Sequence, residues 1–172
     1  KSLGLPRADY YFKNHNLDKL RDNFDSKYPI AKNKKIVLYA PTFRDNPENN
    51  NVFNFLDLEK FNRELGDEYI LVLRLHPKIE MTNIRILTGT TVKELGVDNY
   101  RLMKDCDALI SDYSSVMIEF ALLDKPIIFF TYDYDTYMSE DRGFYFDFKE
   151  NVPGPVVYTT DELIAEIKNN DF

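Results

Sequence analysis

Short apolar segments that alternate with amphipathic helical segments are the feature that most restricts how this chain can fold. The clearest apolar runs are residues 35–40, 69–75, 108–110 and 126–130. Runs of this kind, bounded by charges or proline, are typical of strands that lie buried in a parallel sheet. Because helical patterns separate them, the sequence predicts an α/β fold with an open, doubly wound parallel sheet and helices on both faces.

The other elements follow from spacing and capping signals. Helices are expected near residues 17–24, 58–65, 98–106, 116–123 and 160–167, with weaker helical character at 135–140, and short strands are expected at 84–87 and 156–158. Two Thr-x-x-Glu sequences, Thr91 with Glu94 and Thr159 with Glu162, predict capping boxes at helix starts. The first box would open a single turn that ends at Gly96. The Asn-rich loop 44–54 is predicted to be exposed.

Length and composition limit the class of protein. With 172 residues, we expect one domain over 1–172, in which 1–31 form a leading or hinge segment. The first residue is Lys1 and not Met, so we expect a piece of a longer chain. A net charge of -7 argues against a nucleic-acid partner. The single cysteine, Cys106, is predicted to be a buried thiol.

Polar side chains directly follow three of the predicted strands. They lie in the segments 41–44, 76–77 and 112–115. Ligands of open parallel sheets bind outside the carboxyl ends of the strands. We therefore expect these three segments to lie together at one edge of the sheet and to form the binding site.

The strand-to-helix turn at Ser114 and Ser115 has two interpretations. A helix start offers unpaired N–H groups and partial positive charge, which suits a phosphate, and two hydroxyls add donors. Alternatively, Ser114 is only an N-cap. Glu119, one turn later, could accept hydrogen bonds from ribose hydroxyls or could be a solvated helix acid.

The remaining candidates are also open to a structural interpretation. His76 is placed to act as a base or to contact a phosphate, but a lone histidine is often structural. Arg44 and Arg142 could each contact a phosphate or be surface charges. Asp112 is predicted to fix its turn by accepting backbone hydrogen bonds.

No metal or cofactor is expected from the sequence. Asp133 and Asp135 alternate, but nothing else completes an oxygen cage around them. The chain also has no Walker lysine motif and no glycine-rich dinucleotide loop. The binding site is therefore expected to work without either.

Seven segments, in order, resemble the CDP-glycerol:poly(glycerophosphate) glycerophosphotransferase family, which contains the teichoic-acid polymerases and capsule-forming relatives. The longest is residues 109–121, with the sequence LISDYSSVMIEFA. The others are LPRAD at 5–9, YAPTFR at 39–44, LHP at 75–77, PIIFF at 126–130, RGFYFD at 142–147 and PGP at 153–155. Together they extend over nearly the whole chain.

The resemblance implies a GT-B-type transferase of two Rossmann-like halves, of which this chain would be the C-terminal, donor-binding half. Such enzymes move an alditol phosphate from a CDP-alditol to a hydroxyl of a growing polymer and release CMP. The matching positions are Arg44, His76, Ser114, Ser115 and Glu119. We assign His76 as the catalytic residue and the other four as donor-binding residues, together with Thr42 and Arg142.

The resemblance also implies partners and a location. The donor would be CDP-glycerol, which is favoured, or CDP-ribitol. The acceptor would be a lipid-linked polymer bound through the N-terminal half, at the cytoplasmic face of the bacterial membrane. The family's His-Gly motif of that half does not occur here, so the chain alone is expected to be inactive.

Two departures from the family pattern bear on donor selectivity. The family often has Asp where this chain has Glu119, which affects how the ribose is held. Residues 78–98 differ from the usual spacing, which affects the preference for cytidine.

The sequence leaves two other functions open. A GT-B glycosyltransferase that uses another sugar nucleotide would share the strand–turn–helix phosphate site. A flavodoxin-like binding domain without transfer chemistry should carry acids at the end of the first strand. The sequence has none there.

Overall fold

A six-stranded sheet, parallel throughout, forms the centre of the protein. The computed structural model describes Asp9 and residues 17–44, 52–75, 91–93, 99–140 and 143–170. The strands are β1 (Lys35–Tyr39), β2 (Tyr69–Leu73), β3 (Thr91–Lys93), β4 (Ala108–Ser111), β5 (Ile127–Phe130) and β6 (Val156–Val157). Their order is β3-β2-β1-β4-β5-β6, and every pair is parallel. The strand order therefore reverses direction between β1 and β4.

Seven α-helices accompany the sheet in the described part of the chain. They are α1 (Leu17–Lys27), α2 (Leu58–Leu65), α3 (Asn99–Asp105), α4 (Val116–Phe120), α5 (Tyr134–Glu140), α6 (Phe148–Asn151) and α7 (Thr160–Asn169). Short 3-10 turns occupy Pro29–Ala31, Val52–Asn54 and Ala121–Leu123. The last of these directly continues α4, as the apolar pattern over 116–123 predicted.

Two hydrophobic cores, one on each face, hold the helices against the sheet. Successive residues of β1 alternate between them: Ile36 and Leu38 face one core, while Val37 and Tyr39 face the other. The first core also contains side chains from α1, α3 and α4, namely Phe24, Leu102, Met103 and Phe120. The second contains side chains from α2 and α7, namely Phe61, Leu65, Leu163, Ile164 and Ile167. The predicted doubly wound α/β architecture is confirmed.

One of the two predicted capping boxes is confirmed and the other is wrong. The Thr159 side chain accepts from the Glu162 backbone N–H, and the Glu162 carboxylate accepts from the Thr159 N–H. By contrast, Thr91 begins β3, whose residues pair with Leu71, Val72 and Leu73 of β2. A buried neighbouring strand offers three residues a ladder of hydrogen bonds. That pairing outweighs the local preference of threonine for a cap.

The loop predicted to be exposed over 44–54 is buried at two of its described positions. Arg44 is fully buried, and Val52 is 1% exposed. The prediction of an exposed loop is therefore wrong at these two positions, although Asn54 is exposed. The predicted strand at 84–87 lies outside the described residues. Within the described residues, no helix is both long and apolar enough to cross a membrane.

Candidate functional site

The loops that follow β1 and β4 meet where the strand order reverses. The Ala40 N–H donates to the Ile110 carbonyl at 3.0 Å, which extends the pairing of the two strands by one residue. Beyond it, the Thr42 backbone N–H donates to both carboxylate oxygens of Asp112, at 2.9 and 3.0 Å. Open α/β sheets bind their ligands at this kind of crevice. The prediction that residues 41–44 and 112–115 share one edge is confirmed.

Asp112 is the residue that joins the two loops. Its carboxylate is fully buried and also accepts from the Thr42 hydroxyl at 2.6 Å and from the Tyr113 N–H at 2.6 Å. This confirms that Asp112 fixes the turn by accepting backbone hydrogen bonds. A buried carboxylate needs several donors of this kind to compensate for the water it has lost.

Arg44 lies behind the same edge, completely removed from solvent. Its Nε donates to Asp133 Oδ2 at 2.7 Å and its Nη2 to Asp133 Oδ1 at 3.1 Å, which is a two-point contact. Nη2 also lies 2.9 Å from Asp112 Oδ2, and Nη1 donates to the Thr42 carbonyl at 2.6 Å. The alternative that Arg44 is a surface charge is therefore wrong. Its contact with a donor phosphate stays a prediction.

Aromatic rings enclose the Arg44 guanidinium. Its central carbon lies 5.0, 5.7 and 5.1 Å from the ring centroids of Tyr113, Tyr132 and Tyr137. Burial lowers the pKa of Arg44, but the hydrogen bond to Asp133 and the charges of Asp112 and Asp133 outweigh burial and raise it. For the Tyr113 hydroxyl, burial raises the pKa well above its usual range. Arg44 is therefore a permanent cation inside the protein.

The Ser114–Ser115 turn has the donors that the sequence suggested. Ser114 Oγ accepts from the Val116 N–H at 3.3 Å, so this hydroxyl does take part in capping α4. Ser115 is exposed and makes no side-chain cap bond. In the described part of the chain, no acceptor is found for the backbone N–H groups of either serine. The donors of the turn are therefore these two N–H groups and the Ser115 hydroxyl, and their contact with a ligand stays a prediction.

Glu119 is 7% exposed, so the alternative of a solvated helix acid is wrong. It lies in the first turn of α4. His76 and Arg142 lie outside the described residues, and their roles stay predictions. The binding roles of Thr42, Ser114, Ser115 and Glu119 also stay predictions.

Asp133 and Tyr113 are residues of the site that sequence reasoning did not select. Asp133 follows β5 after two intervening residues and therefore lies on the same edge as Asp112. The Tyr113 hydroxyl donates to Asp133 Oδ1 at 3.2 Å, and its ring stacks on Tyr137 with centroids 3.7 Å apart. The position of Asp133 after a strand was an available signal. Its partner Arg44 is 89 residues away, and no local pattern shows such a pairing.

Metal-ligating side chains and the single thiol of the described residues bear on the chemistry of the site. Among the described residues, no group of three or more His, Cys, Asp or Glu side chains could hold a metal ion. Asp133 forms an ion pair with Arg44. Cys106 is buried, as predicted, and burial raises the pKa of its thiol. A thiol held protonated in this way is a poor nucleophile.

Among the residues that the structure describes, two hydroxyls near the site are buried without a hydrogen-bond partner, those of Tyr39 and Thr131. A buried hydroxyl without a partner costs stability, so removing it should be neutral or favourable. We expect Tyr39→Phe and Thr131→Val to raise the free energy of unfolding by up to about 1 kcal/mol. Urea unfolding would measure this. Thr42→Val is the matched control, because its hydroxyl has a partner and its loss should destabilise. A clear loss of stability in Tyr39→Phe would contradict the prediction.

Comparison with known proteins places the chain in a family. Residues 2–171 match the CDP-Glycerol:Poly(glycerophosphate) glycerophosphotransferase family. The chain is 37% identical over 180 residues to the teichoic acid poly(ribitol-phosphate) polymerase of Bacillus spizizenii, with 99% of the chain and 28% of that protein covered. It is 39% identical over 171 residues to the teichoic acid poly(glycerol phosphate) polymerase of Bacillus subtilis, with 96% and 23% covered.

A solved structure of a teichoic acid polymerase is also similar to this chain. A variant of the wall teichoic acid polymerase TagF, soaked with CDPG, superimposes with a TM-score of 0.79 at 32% identity. The match covers 98% of this chain and 40% of the TagF chain. The chain therefore spans less than half of each of these relatives. Because the family match extends over almost every residue, the chain belongs to the CDP-glycerol:poly(glycerophosphate) glycerophosphotransferase family.

Proposed function

We propose that this chain is the donor-binding domain of a glycerophosphotransferase in teichoic-acid or capsular-polysaccharide synthesis. The whole protein would move an alditol phosphate from a CDP-alditol, with CDP-glycerol favoured, to a hydroxyl of a polymer. One observation carries the proposal: in a member of this family, the loops after β1 and β4 meet at the reversal of strand order and present the Ser114–Ser115 turn. That is where an open α/β sheet binds nucleotides.

The roles within the site follow from chemistry and burial. The N–H groups of Ser114 and Ser115, with the Ser115 hydroxyl, would bind the diphosphate of the donor. Glu119, buried one turn further on, would accept hydrogen bonds from the ribose hydroxyls. The Thr42 hydroxyl donates its proton to Asp112 and keeps its lone pairs, so it could accept from a hydroxyl of the donor.

The reaction that this site would serve is an in-line displacement at phosphorus. An acceptor hydroxyl attacks the β-phosphate of the donor, and a new P–O bond forms to the polymer. The bond from that phosphorus to the CMP oxygen breaks, and CMP leaves with the electron pair. The N–H donors of the turn would stabilise the charge that develops on the phosphate oxygens. A base in the N-terminal half of the whole protein would take the hydroxyl proton. His76, the catalytic residue that we assign, would stabilise charge on the pyrophosphate.

The names of the relatives bear on the acceptor. Those relatives are named teichoic acid polymerases, which supports a growing polymer as the acceptor. In the whole protein we expect that polymer to be lipid-linked and the enzyme to work at the cytoplasmic face of the cell membrane.

Calorimetry on the chain with CDP-glycerol, CDP-ribitol, CMP, UDP-glucose and ADP tests the donor class. We expect the two CDP-alditols to bind most tightly. Ser115→Ala and Glu119→Gln should each weaken CDP-glycerol binding about tenfold or more, because each loses hydrogen bonds to a charged or hydroxyl group of the ligand.

Matched controls are available elsewhere on the surface. Ser26→Ala on α1 and Glu59→Gln on α2 remove the same groups from exposed positions and should leave the affinity unchanged. Tighter binding of UDP-glucose would assign the protein to the sugar-nucleotide transferases. Equal binding by Ser115→Ala, Glu119→Gln and the unaltered chain would show that the donor binds elsewhere.

A further inference from the structure

We propose that Arg44, Asp112 and Asp133 form a buried positioning unit for the Ser114–Ser115 turn, and that Asp133 is thereby a positioning residue for donor binding. None of the three side chains would touch the donor, so this proposal replaces the prediction that Arg44 contacts a donor phosphate directly. The proposal rests on the proposed function only in naming the donor as the ligand of the turn. The mechanical coupling from Asp133 to the turn is a property of the chain alone.

Asp133 fixes the position of Arg44 through two hydrogen bonds. The two-point contact from Nε and Nη2 fixes the plane of the guanidinium, because both donors must point at one carboxylate. The Asp133 side chain is only 8% exposed, so little water competes for these bonds. Asp133 stands after β5 and Arg44 after β1, so the contact ties together two strand ends that have β4 between them.

Arg44 is connected to the Ser114–Ser115 turn through Asp112 and Tyr113. Arg44 Nη2 lies 2.9 Å from Asp112 Oδ2, and Asp112 Oδ1 accepts the Tyr113 N–H at 2.6 Å. The Tyr113 hydroxyl donates a hydrogen bond to Asp133 Oδ1 at 3.2 Å. Tyr113 is therefore held at both its backbone and its ring, and the next residue in the chain is Ser114. Stacking on Tyr137 fixes the plane of the Tyr113 ring.

Burial decides between a positioning role and a direct contact for Arg44. Its side chain is fully buried, and three of its nitrogens already bind Asp112, Asp133 and the Thr42 carbonyl. To reach a donor phosphate, the guanidinium would have to leave two buried carboxylates without their cation. That is a costly state, because buried charges without partners are strongly unfavourable. Arg44 therefore acts on the donor through the turn.

Amide hydrogen exchange on Asp133→Asn tests the coupling without any ligand. The Tyr113 N–H binds Asp112, and the Val116 N–H binds Ser114 Oγ, so both report on the turn. We expect these two amides to exchange at least about tenfold faster in the variant, because the turn opens locally. Core amides of β2 should change by less than about twofold. Asp135→Asn is the matched control, because Asp135 is an exposed carboxylate two residues further on. This variant should change the exchange rates neither of the two turn amides nor of the β2 amides.

The other outcomes contradict the proposal. Unchanged exchange at Tyr113 and Val116 would show that Asp133 does not hold the turn. Uniformly faster exchange over the sheet would show that Asp133 only stabilises the fold. If Asp133→Asn does not fold, Tyr113→Phe removes only the hydrogen bond to Asp133 and should still accelerate exchange at Val116. No acceleration in that variant would equally overturn the proposal.

Calorimetry with CDP-glycerol separates this proposal from the proposed function. Asp133→Asn should bind about tenfold more weakly than the unaltered chain, while Asp135→Asn should bind equally well. Equal binding by Asp133→Asn would overturn the positioning role. If the unaltered chain itself does not bind CDP-glycerol, the proposed function fails for this chain. The exchange rates at Tyr113 and Val116 then still decide whether Asp133 holds the turn.

Discussion

Replacing Arg44 by methionine is expected to lower the free energy of unfolding by about 3 to 5 kcal/mol, the range seen when one partner of a buried ion pair is removed. Methionine keeps the apolar length of the side chain, so lost packing contributes little. The loss arises because Asp112, which is fully buried, and Asp133, which is nearly so, would lose the cation that lies between them. A domain of ordinary stability would lose much of its margin.

Urea unfolding of Arg44→Met, Asp133→Asn and the double variant would measure the effect and its cause. If an uncompensated carboxylate causes the loss, the double variant should be clearly more stable than the sum of the single losses predicts. Arg63→Met on α2 is the matched control, because Arg63 is exposed and should change stability by less than about 0.5 kcal/mol. A loss in Arg44→Met no larger than that in Arg63→Met would show that the cation is not needed.

The sheet and its binding edge could be predicted because they depend on patterns of neighbouring residues. Continuous apolar runs are dictated by burial on both faces, and β1 and β2 are indeed buried almost throughout. The meeting of the loops after β1 and β4 then follows from topology alone. The capping box of α7 was predictable for the same reason, since Thr159 and Glu162 satisfy each other within one turn.

Features that depend on distant partners could not be predicted. Arg44 stands beside Asp45 in a polar stretch, and nothing nearby indicates that it is buried. Its burial is possible only because Asp112 and Asp133 meet it at the sheet edge. The error at Thr91 has a similar origin. A three-residue strand carries almost no signal of its own, and its pairing with β2 decides its structure.

Gly154 is a feature that could be predicted from the sequence only in part. The sequence Pro-Gly-Pro at residues 153–155 is typical of a turn, and this is where the chain leads into β6. The structure adds the reason for glycine at the centre: an added Cβ would lie 2.0 Å from the Ile127 carbonyl oxygen and 3.1 Å from its carbon. The turn therefore lies directly against the backbone of β5. This contact is invisible in the sequence, although the turn is not.

Gly154→Ala is consequently expected to destabilise the protein by about 3 kcal/mol, at the upper end of overpacking in a core. The clash is with backbone atoms, which cannot move aside as a flexible side chain can. The flanking residues Pro153 and Pro155 have fixed φ angles, so the turn cannot rotate away cheaply. Relief would pull Pro155 from the Phe129 N–H, to which its carbonyl binds at 2.8 Å, and would weaken the pairing of β6 with β5.

Gly143→Ala provides the matched comparison for this prediction. Gly143 has a φ of +54°, and an added Cβ would lie 3.5 Å from the Met138 carbonyl oxygen, which is an ordinary contact. Its cost should come from backbone strain alone, about 1 to 2 kcal/mol. Urea unfolding of both variants would separate the two causes. In Gly154→Ala, the Val157 amide should also lose protection from hydrogen exchange, because β6 would detach from the sheet edge. Equal losses in the two variants, with β6 still protected, would show that the turn can yield without disturbing β5.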